Sequence, residues 1–172
     1  MGRSAIEQLL WMMDSAFEGD PAKPTQSWHA VLVNLASSPR DEWDWAPPGG
    51  ARTIFSLVRE LGVCKLVYDN QAFGDGSMDW DVPGTVPAIG TTATYDGVVA
   101  WLRDAHGRLR GHVAELKDDA QLLEPRPGPF GDGRSYETRW LVNTMIQHDL
   151  YHAGEINHIR ALRQRNDGPG ND

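Results

Sequence analysis

Apolar positions recur every three or four residues along five segments of the chain, and this spacing predicts α-helices. The first predicted helix covers about residues 4–17, with Ser4 as its N-cap and Glu7 completing a capping box. The other predicted helices cover about residues 25–37, 53–73, 94–116 and 136–164. The expected fold class is all-α: a four-helix bundle with an additional short N-terminal helix.

Two stretches rich in Gly and Pro separate the later helices, at about residues 74–92 and 123–134. No strand pattern of useful length competes with the helices. A loop as long as 74–92 inside a compact domain is often a lid or a binding wall, or else a plain surface excursion. Residues 1–165 are expected to form a single helical-bundle domain, and residues 166–172 a disordered tail.

Composition narrows the functional classes. The chain has 16 Lys and Arg against 24 Asp and Glu, a formal charge of −8, which argues against nucleic acid as a partner. No apolar run reaches the roughly 18–20 residues of a membrane span, so no membrane partner is expected. Cys64 is the only cysteine. The lack of an intrachain disulfide and of a signal-peptide pattern favours a cytoplasmic location.

One stripe of the last predicted helix carries both apolar and ionisable side chains. On a wheel of about 100° per residue, the stripe contains Leu141, Met145, Ile159, His148, His152 and Glu155. The apolar members indicate that the stripe faces the core, so the ionisable members are expected to be buried or to line a cavity. His148 and His152 are four residues apart, which places them side by side and suits them to share a metal ion.

Glu60 offers a third ligand from the helix predicted at 53–73. On that helix it lies among mostly apolar neighbours, where a carboxylate needs a cation or a strong hydrogen bond. Two histidines and one carboxylate, with positions left open for water or substrate, are a common catalytic site for zinc and for iron. The alternative is that Glu60 lies at the edge of the apolar face and pairs with a surface charge such as Arg59 or Lys65. Cys64 is expected to be a small buried side chain rather than a thiolate ligand.

Other side chains complete the candidate site. Glu155 is the candidate catalytic residue, since a carboxylate one turn from His152 can orient that imidazole. His29, Trp101 and Tyr151 are candidates for substrate binding. For His29 the alternative is a surface residue or one satisfied by its own neighbours, which is the commoner role of a lone helical histidine.

Three segments carry a resemblance to a known family. Residues 148–156, HDLYHAGEI, resemble the last-helix motif of the DinB/YfiT superfamily. Residues 44–54, DWAPPGGARTI, and 62–65, GVCK, resemble segments around the second bundle helix of that family. The likeness extends over about residues 25–165.

The resemblance implies a DinB-like four-helix bundle, often dimeric, that holds a divalent metal, commonly nickel or zinc, through three histidines. Two of these match His148 and His152, whereas Glu60 stands at the position of the third. The replacement would change the affinity and the choice of metal, with manganese or iron as further candidates, or would abolish metal binding. Characterised relatives include thiol-dependent S-transferases and isomerases that use mycothiol, bacillithiol or glutathione, and some hydrolases.

Two functions are therefore expected as alternatives. In the first, the protein is a metal-dependent transferase or hydrolase, and a low-molecular-weight thiol such as mycothiol, or water, attacks a small electrophilic substrate. In the second, it is a metal-free helical-bundle protein that binds a small molecule or uses histidine as a general base, with Glu60 bonded to one of the two histidines. The resemblance also favours a homodimer.

Overall fold

The computed structural model describes residues 2–20, 22–23, 29–80 and 94–166, and this part of the chain is mainly helical. Its α-helices are α1 Ser4–Phe17, α2 Val31–Ala36, α3 Ile54–Phe73, α4 Tyr95–Ala114 and α5 Thr138–Asn166. Short 3-10 turns at Arg40–Glu42 and Asp119–Leu123 follow α2 and α4. The expected all-α helical bundle is confirmed.

Local capping explains where the two central helices begin. The hydroxyl of Thr53 accepts a hydrogen bond from the backbone N–H of Ser56 at 3.0 Å, and the Ser56 hydroxyl accepts from the Thr53 N–H at 2.9 Å. This reciprocal pair starts α3. Thr94 caps α4 by accepting from the Gly97 N–H at 3.1 Å. Both helices therefore begin where their sequence predicts.

The capping box predicted at Ser4 is wrong. Arg3 is the N-cap of α1, and its side chain makes no capping hydrogen bond. The carboxylate of Asp119, 113 residues from Ile6, accepts from the Ile6 N–H at 3.0 Å and from the Ser4 hydroxyl at 3.4 Å. Arg3 in turn donates to the carbonyl of Ala114 at 2.9 Å. The start of α1 is therefore held by residues near the end of α4.

A short hairpin precedes α5, where no strand was expected. Strands β1 Pro125–Pro127 and β2 Ser135–Glu137 are antiparallel, with Arg126 opposite Tyr136. Three residues are too few for an alternating pattern to be visible in the sequence. Because Tyr136 belongs to β2, α5 begins two residues later than predicted.

The core places the polar site described below at its edge. Leu57 and Leu61 on α3 and Ala153 and Ile156 on α5 are fully buried in one hydrophobic cluster. Leu61 directly follows Glu60 on α3, and Ala153 directly follows His152 on α5. A second cluster, built mainly from α1, α3, α4 and α5, includes Met13, Tyr68, Leu109 and Met145. Burial of this apolar surface is the main force that holds α3 and α5 together.

Some predictions fall outside the described residues and remain predictions. They are the part of the second predicted helix before residue 29, the loop beyond residue 80 as far as residue 92, and the tail beyond residue 166. Residue 166, the first of the expected tail, is the last residue of α5. Within the described part of the chain, no helix combines the length and the apolar character that crossing a membrane requires.

Candidate metal centre

Three side chains with metal-binding chemistry converge from two helices. Glu60 lies on α3, and His148 and His152 lie on α5, with ligand atoms all within 4.8 Å of one another. The Nε2 atom of His152 lies 2.9 Å from Nε2 of His148 and 3.5 Å from Oε1 of Glu60. His148 Nε2 lies 3.9 Å from that same oxygen. These are the three residues that the sequence assigned to a metal site.

The helical stripe explains how the two histidines meet Glu60. Leu141, Met145 and Ile159 of the stripe are buried, as predicted. They hold this face of α5 against the core, so that the imidazole of His152 is only 2 % exposed and that of His148 is 21 % exposed. The two rings meet edge to face with centroids 4.3 Å apart. Glu60, 39 % exposed, forms the outer side of the cluster.

Glu155 fixes the proton arrangement of His152. The Nδ1 atom of His152 lies 2.5 Å from Oε2 of Glu155, three residues later on α5. Because an ionised carboxylate only accepts hydrogen bonds, Nδ1 carries the proton. A neutral His152 then has its free lone pair on Nε2, which faces Glu60 and His148. A carboxylate on the far nitrogen is the usual partner of a metal-binding histidine.

Arg52 joins the two carboxylates of the site and was missed by the sequence reasoning. Its Nη1 atom lies 3.0 and 2.9 Å from the oxygens of Glu155, and its Nη2 donates to Oε2 of Glu60. The ion-pair partner of Glu60 is thus Arg52, and not Arg59 or Lys65. Arg52 precedes α3, so helical periodicity gives no sign of where its side chain points. The one signal in the sequence was that Arg52 lies within residues 44–54, a segment that resembles a known family.

Lys65 is not a surface charge. Its Nζ atom lies 2.7 Å from both carboxylate oxygens of Asp149, and the two side chains are 1 % and 2 % exposed. Burial raises the pKa of Asp149, and the Lys65 ammonium opposes that shift. The pair connects α3 to α5 inside the bundle, and the sequence reasoning did not find it.

The donor set is suited to a divalent ion. Ligand atoms that each lie about 2.0–2.2 Å from one ion lie about 3–4 Å from one another, which is the size of the observed separations of 2.9, 3.5 and 3.9 Å. Burial, together with the neighbouring His152, lowers the pKa of His148 to about 4. His148 is therefore neutral at pH 7 and has a lone pair to offer. The Glu60, His148 and His152 cluster could hold a metal ion.

The family assignment rests on most of the chain. A family model described as the DinB superfamily matches residues 25–156. The chain belongs to the DinB superfamily. The match includes Glu60, His148 and His152, and it confirms the resemblance seen in the motifs. A search of curated proteins finds no match to this chain.

The three expected substrate-binding residues of this DinB chain lie in different surroundings. Tyr151 is 62 % exposed, and its ring meets the His152 ring edge to face at 5.1 Å. Trp101 is half-buried on α4 and covers Gly62 so closely that a Cβ there would lie 2.2 Å from the indole. His29 is half-buried ahead of α2 and is not a member of the ligand cluster. Their roles in substrate binding remain predictions.

Cys64 lies one turn beyond Glu60 on α3 of the DinB bundle. It is half-buried and packs against the second hydrophobic cluster. Burial, with the nearby charge of Glu60, raises the pKa of its thiol to about 12. The thiol therefore stays protonated near neutral pH, where it is neither a good nucleophile nor a ready metal ligand.

Proposed function

We propose that this DinB protein is a divalent-metal-dependent enzyme that joins a thiol or water to a small electrophilic molecule. The observation that carries the proposal is the convergence of Glu60 Oε1 with the Nε2 atoms of His148 and His152 from two helices. Zinc or nickel is the expected ion, because imidazole suits both and a carboxylate is tolerated by both. Manganese and iron, which accept more oxygen, are the further candidates.

The residues of the site have distinct tasks in this proposal. Glu60, His148 and His152 would hold the ion, which when bound lowers the pKa of a water or thiol and polarises an electrophile. Glu155 accepts a hydrogen bond from Nδ1–H of His152 and so keeps the Nε2 lone pair free for binding. Arg52 holds the carboxylates of both Glu60 and Glu155, so that a single Glu60 oxygen faces the histidines.

The protonation state of the Cys64 thiol indicates where the nucleophile would come from. It is the only cysteine of the chain, and its thiol stays protonated because burial raises its pKa to about 12. A transferred sulfur would therefore come from a second substrate, a low-molecular-weight thiol such as mycothiol. Its thiolate would form a carbon–sulfur bond as the leaving group departs from the electrophile, and the thiol proton would leave with that group or to solvent. Water in place of the thiol gives hydrolysis.

The outer side of the cluster is where a small molecule would enter. Glu60 is 39 % exposed, and Tyr151 stands beside His152 with most of its ring in solvent. An exposed aromatic ring next to a polar cluster provides an apolar wall for a substrate. The proposal includes a homodimer, for which the exposed Leu150 and Tyr151 of α5 offer apolar surface.

A metal-free function is the second candidate, and one contact favours it. The Nε2 atoms of His148 and His152 are 2.9 Å apart, the length of a hydrogen bond between two imidazoles. With Nδ1–H of His152 donated to Glu155, Nε2 of His152 would accept from Nε2–H of His148. Arg52 already pairs with Glu60. The cluster is then satisfied without an ion, and His148 would act as a base or bind a ligand directly.

Metal content separates the two candidates. The protein would be purified without a histidine tag, analysed for bound metal and titrated with nickel, zinc and manganese. We expect about one ion per chain in the native protein and its loss in His148→Ala and Glu60→Ala. A native protein that contains no stoichiometric metal and binds none on titration would leave the metal-free candidate. A screen with mycothiol, bacillithiol and glutathione then tests the transfer, and turnover independent of thiol would favour hydrolysis.

A further inference from the structure

A buried ion pair ties together the two helices that carry the metal-binding side chains. Lys65 on α3 places Nζ 2.7 Å from each oxygen of Asp149 on α5. The side chains are 1 % and 2 % exposed, so water has almost no access to either charge. The Lys65 ammonium also lies 5.2 Å from the centre of the Phe17 ring of α1. The pair thus lies between α3 and α5, with α1 beside the Lys65 ammonium.

Such a pair is a poor source of stability. Moving two charges out of water costs several kcal/mol per ion, and an apolar pair of similar volume is often as stable or more stable. What an ion pair adds is direction, because the hydrogen bond from Lys65 Nζ to Oδ2 of Asp149, 2.7 Å long, tolerates little sliding or rotation of either helix. The apolar packing of a cluster that includes Leu61 and Ile156 has no such directional preference.

The position of the pair relates it to the ligand cluster. Asp149 follows His148 directly and precedes His152 by less than one turn. Lys65 lies five residues beyond Glu60 on α3, which is about 7.5 Å along the helix axis. The pair and the cluster therefore lie on neighbouring parts of one contact between α3 and α5. A metal site requires its ligands within about 0.2 Å of their proper distances, so a small slip of α5 would separate the histidines from Glu60.

We propose that Lys65 and Asp149 are positioning residues that set the register of α5 against α3, so that His148 and His152 meet Glu60. The inference rests on the proposed function, because the ligand cluster is what the register serves. It assigns the pair a role in binding and not chiefly in stability.

The test replaces both charges at once, because removing one alone would leave the other buried without a partner. The double variant Lys65→Met with Asp149→Leu keeps side chains of roughly similar size. We expect its apo form to unfold at the same temperature as wild type or higher. We expect its zinc affinity, measured by calorimetric titration, to fall about 10- to 100-fold, as when groups that orient metal ligands are changed.

A control variant removes another ion pair between helices, one whose side chains are 39 % and 40 % exposed. Arg110 on α4 and Asp14 on α1 approach to 2.5 and 2.8 Å, and neither helix carries a ligand of the cluster. The double variant Arg110→Met with Asp14→Leu should bind zinc like wild type. Equal losses of affinity in both double variants would overturn the proposal, and so would wild-type affinity in a folded Lys65→Met, Asp149→Leu protein.

A measurement on the metal-free protein distinguishes failure of this inference from failure of the proposed function. Nitrogen-15 spectra of the apo protein report the tautomers of the His148 and His152 rings. We expect the His152 ring signals to change in Lys65→Met, Asp149→Leu and not in the control. If wild type binds no zinc, the proposed function fails, and the ring spectra alone decide whether the pair positions the histidines. Unchanged ring signals would overturn the proposal.

Failure of the double variant to fold would also contradict the inference, because the pair would then chiefly supply stability. Asp149→Glu provides an independent arm. It keeps the charge pair but lengthens it by one methylene, so α5 must shift or rotate. We expect it to fold and to bind zinc more weakly than wild type, and wild-type affinity in this variant would count against a register role.

Discussion

The imidazole of His152 and the carboxylate of Glu155 are 2.5 Å apart within a single turn of α5. The contact assigns the proton of a neutral His152 to Nδ1, because the carboxylate can only accept. Arg52 holds Glu155 from the other side, at 3.0 and 2.9 Å. The direction of the Nε2 lone pair is therefore determined by two residues that themselves need not touch a metal ion.

Replacing Glu155 should weaken metal binding without abolishing it. Glu155→Ala removes the acceptor that fixes the His152 tautomer, and we expect zinc affinity to fall about 10- to 100-fold. Competition with a coloured zinc chelator would measure the change. Glu7→Ala, which alters an exposed carboxylate on α1, serves as the control. Equal affinities for Glu155→Ala and wild type would show that the carboxylate does not orient the ligand.

Replacing Glu60 should have a larger effect, and one that depends on the new side chain. Glu60→Ala removes a ligand and should lower zinc affinity by more than the roughly 10- to 100-fold loss that changes in orienting groups produce. Glu60→His supplies an imidazole at the position where the resemblance places a third histidine. We expect it to retain binding and to shift preference towards nickel over manganese, since manganese favours oxygen. Parallel titrations with zinc, nickel and manganese would measure both effects.

Cys64 should react slowly with thiol reagents in the folded protein. Its pKa moves from 9.0 to about 12, which reduces the thiolate fraction about a thousandfold, at a factor of ten per pKa unit. Labelling with a disulfide reagent at pH 8 should therefore be far slower in the native protein than in urea. Cys64→Ala should retain metal binding and any thiol-dependent turnover. Loss of turnover in a folded Cys64→Ala protein would instead assign the nucleophile to this residue.

His106 should make the fold sensitive to acid. It is 4 % exposed and stacks on Phe17 at 3.9 Å, and burial lowers its pKa to about 2, aided by Lys65 and Arg110. Between about pH 6.5 and pH 2 the unfolded chain therefore binds a proton at this residue that the folded chain does not. The free energy of unfolding therefore carries no penalty from His106 above about pH 6.5, and it decreases as the pH falls below that value.

The size of this effect can be isolated with His106→Leu. Over two pH units below 6.5, the His106 contribution would reach about 2–3 kcal/mol at most, from 1.36 kcal/mol per pKa unit. Urea unfolding of the apo protein at pH 6.5 and 4.5 would measure the change. The loss of stability on acidification should be smaller in His106→Leu than in wild type. An equal loss in the two proteins would assign the acid sensitivity to other groups.

Features that lie within one helix were predictable from the sequence, because helical periodicity reports them directly. The stripe that brings His148 next to His152 follows from a spacing of four residues. The bounds of α3 follow from the cap at Thr53 and the glycine at residue 74. Glu60 was assignable because it stands among apolar neighbours on one helix, although its distance to the histidines required the fold.

Features that join distant parts of the chain were not predictable in this way. Arg52 lies outside any helix, and its two carboxylate partners lie 8 and 103 residues away. Lys65 and Asp149 are separated by 84 residues. A wheel shows which face of a helix a charge occupies, but it cannot show that a facing helix supplies the counter-charge. The hairpin before α5 was missed for a different reason, since its strands are only three residues long.

The carboxylate that caps α1 comes from Asp119, at a separation of 113 residues from Ile6. The apolar periodicity of α1 is encoded locally, but its first turn is completed only when residues 114–119 are already in place. A fragment that ends before α4 would lack the acceptor for the Ile6 N–H and for the Ser4 hydroxyl, so its N-terminus would fray. Whether the first turn of α1 is ordered thus depends on the folding of residues 114–119.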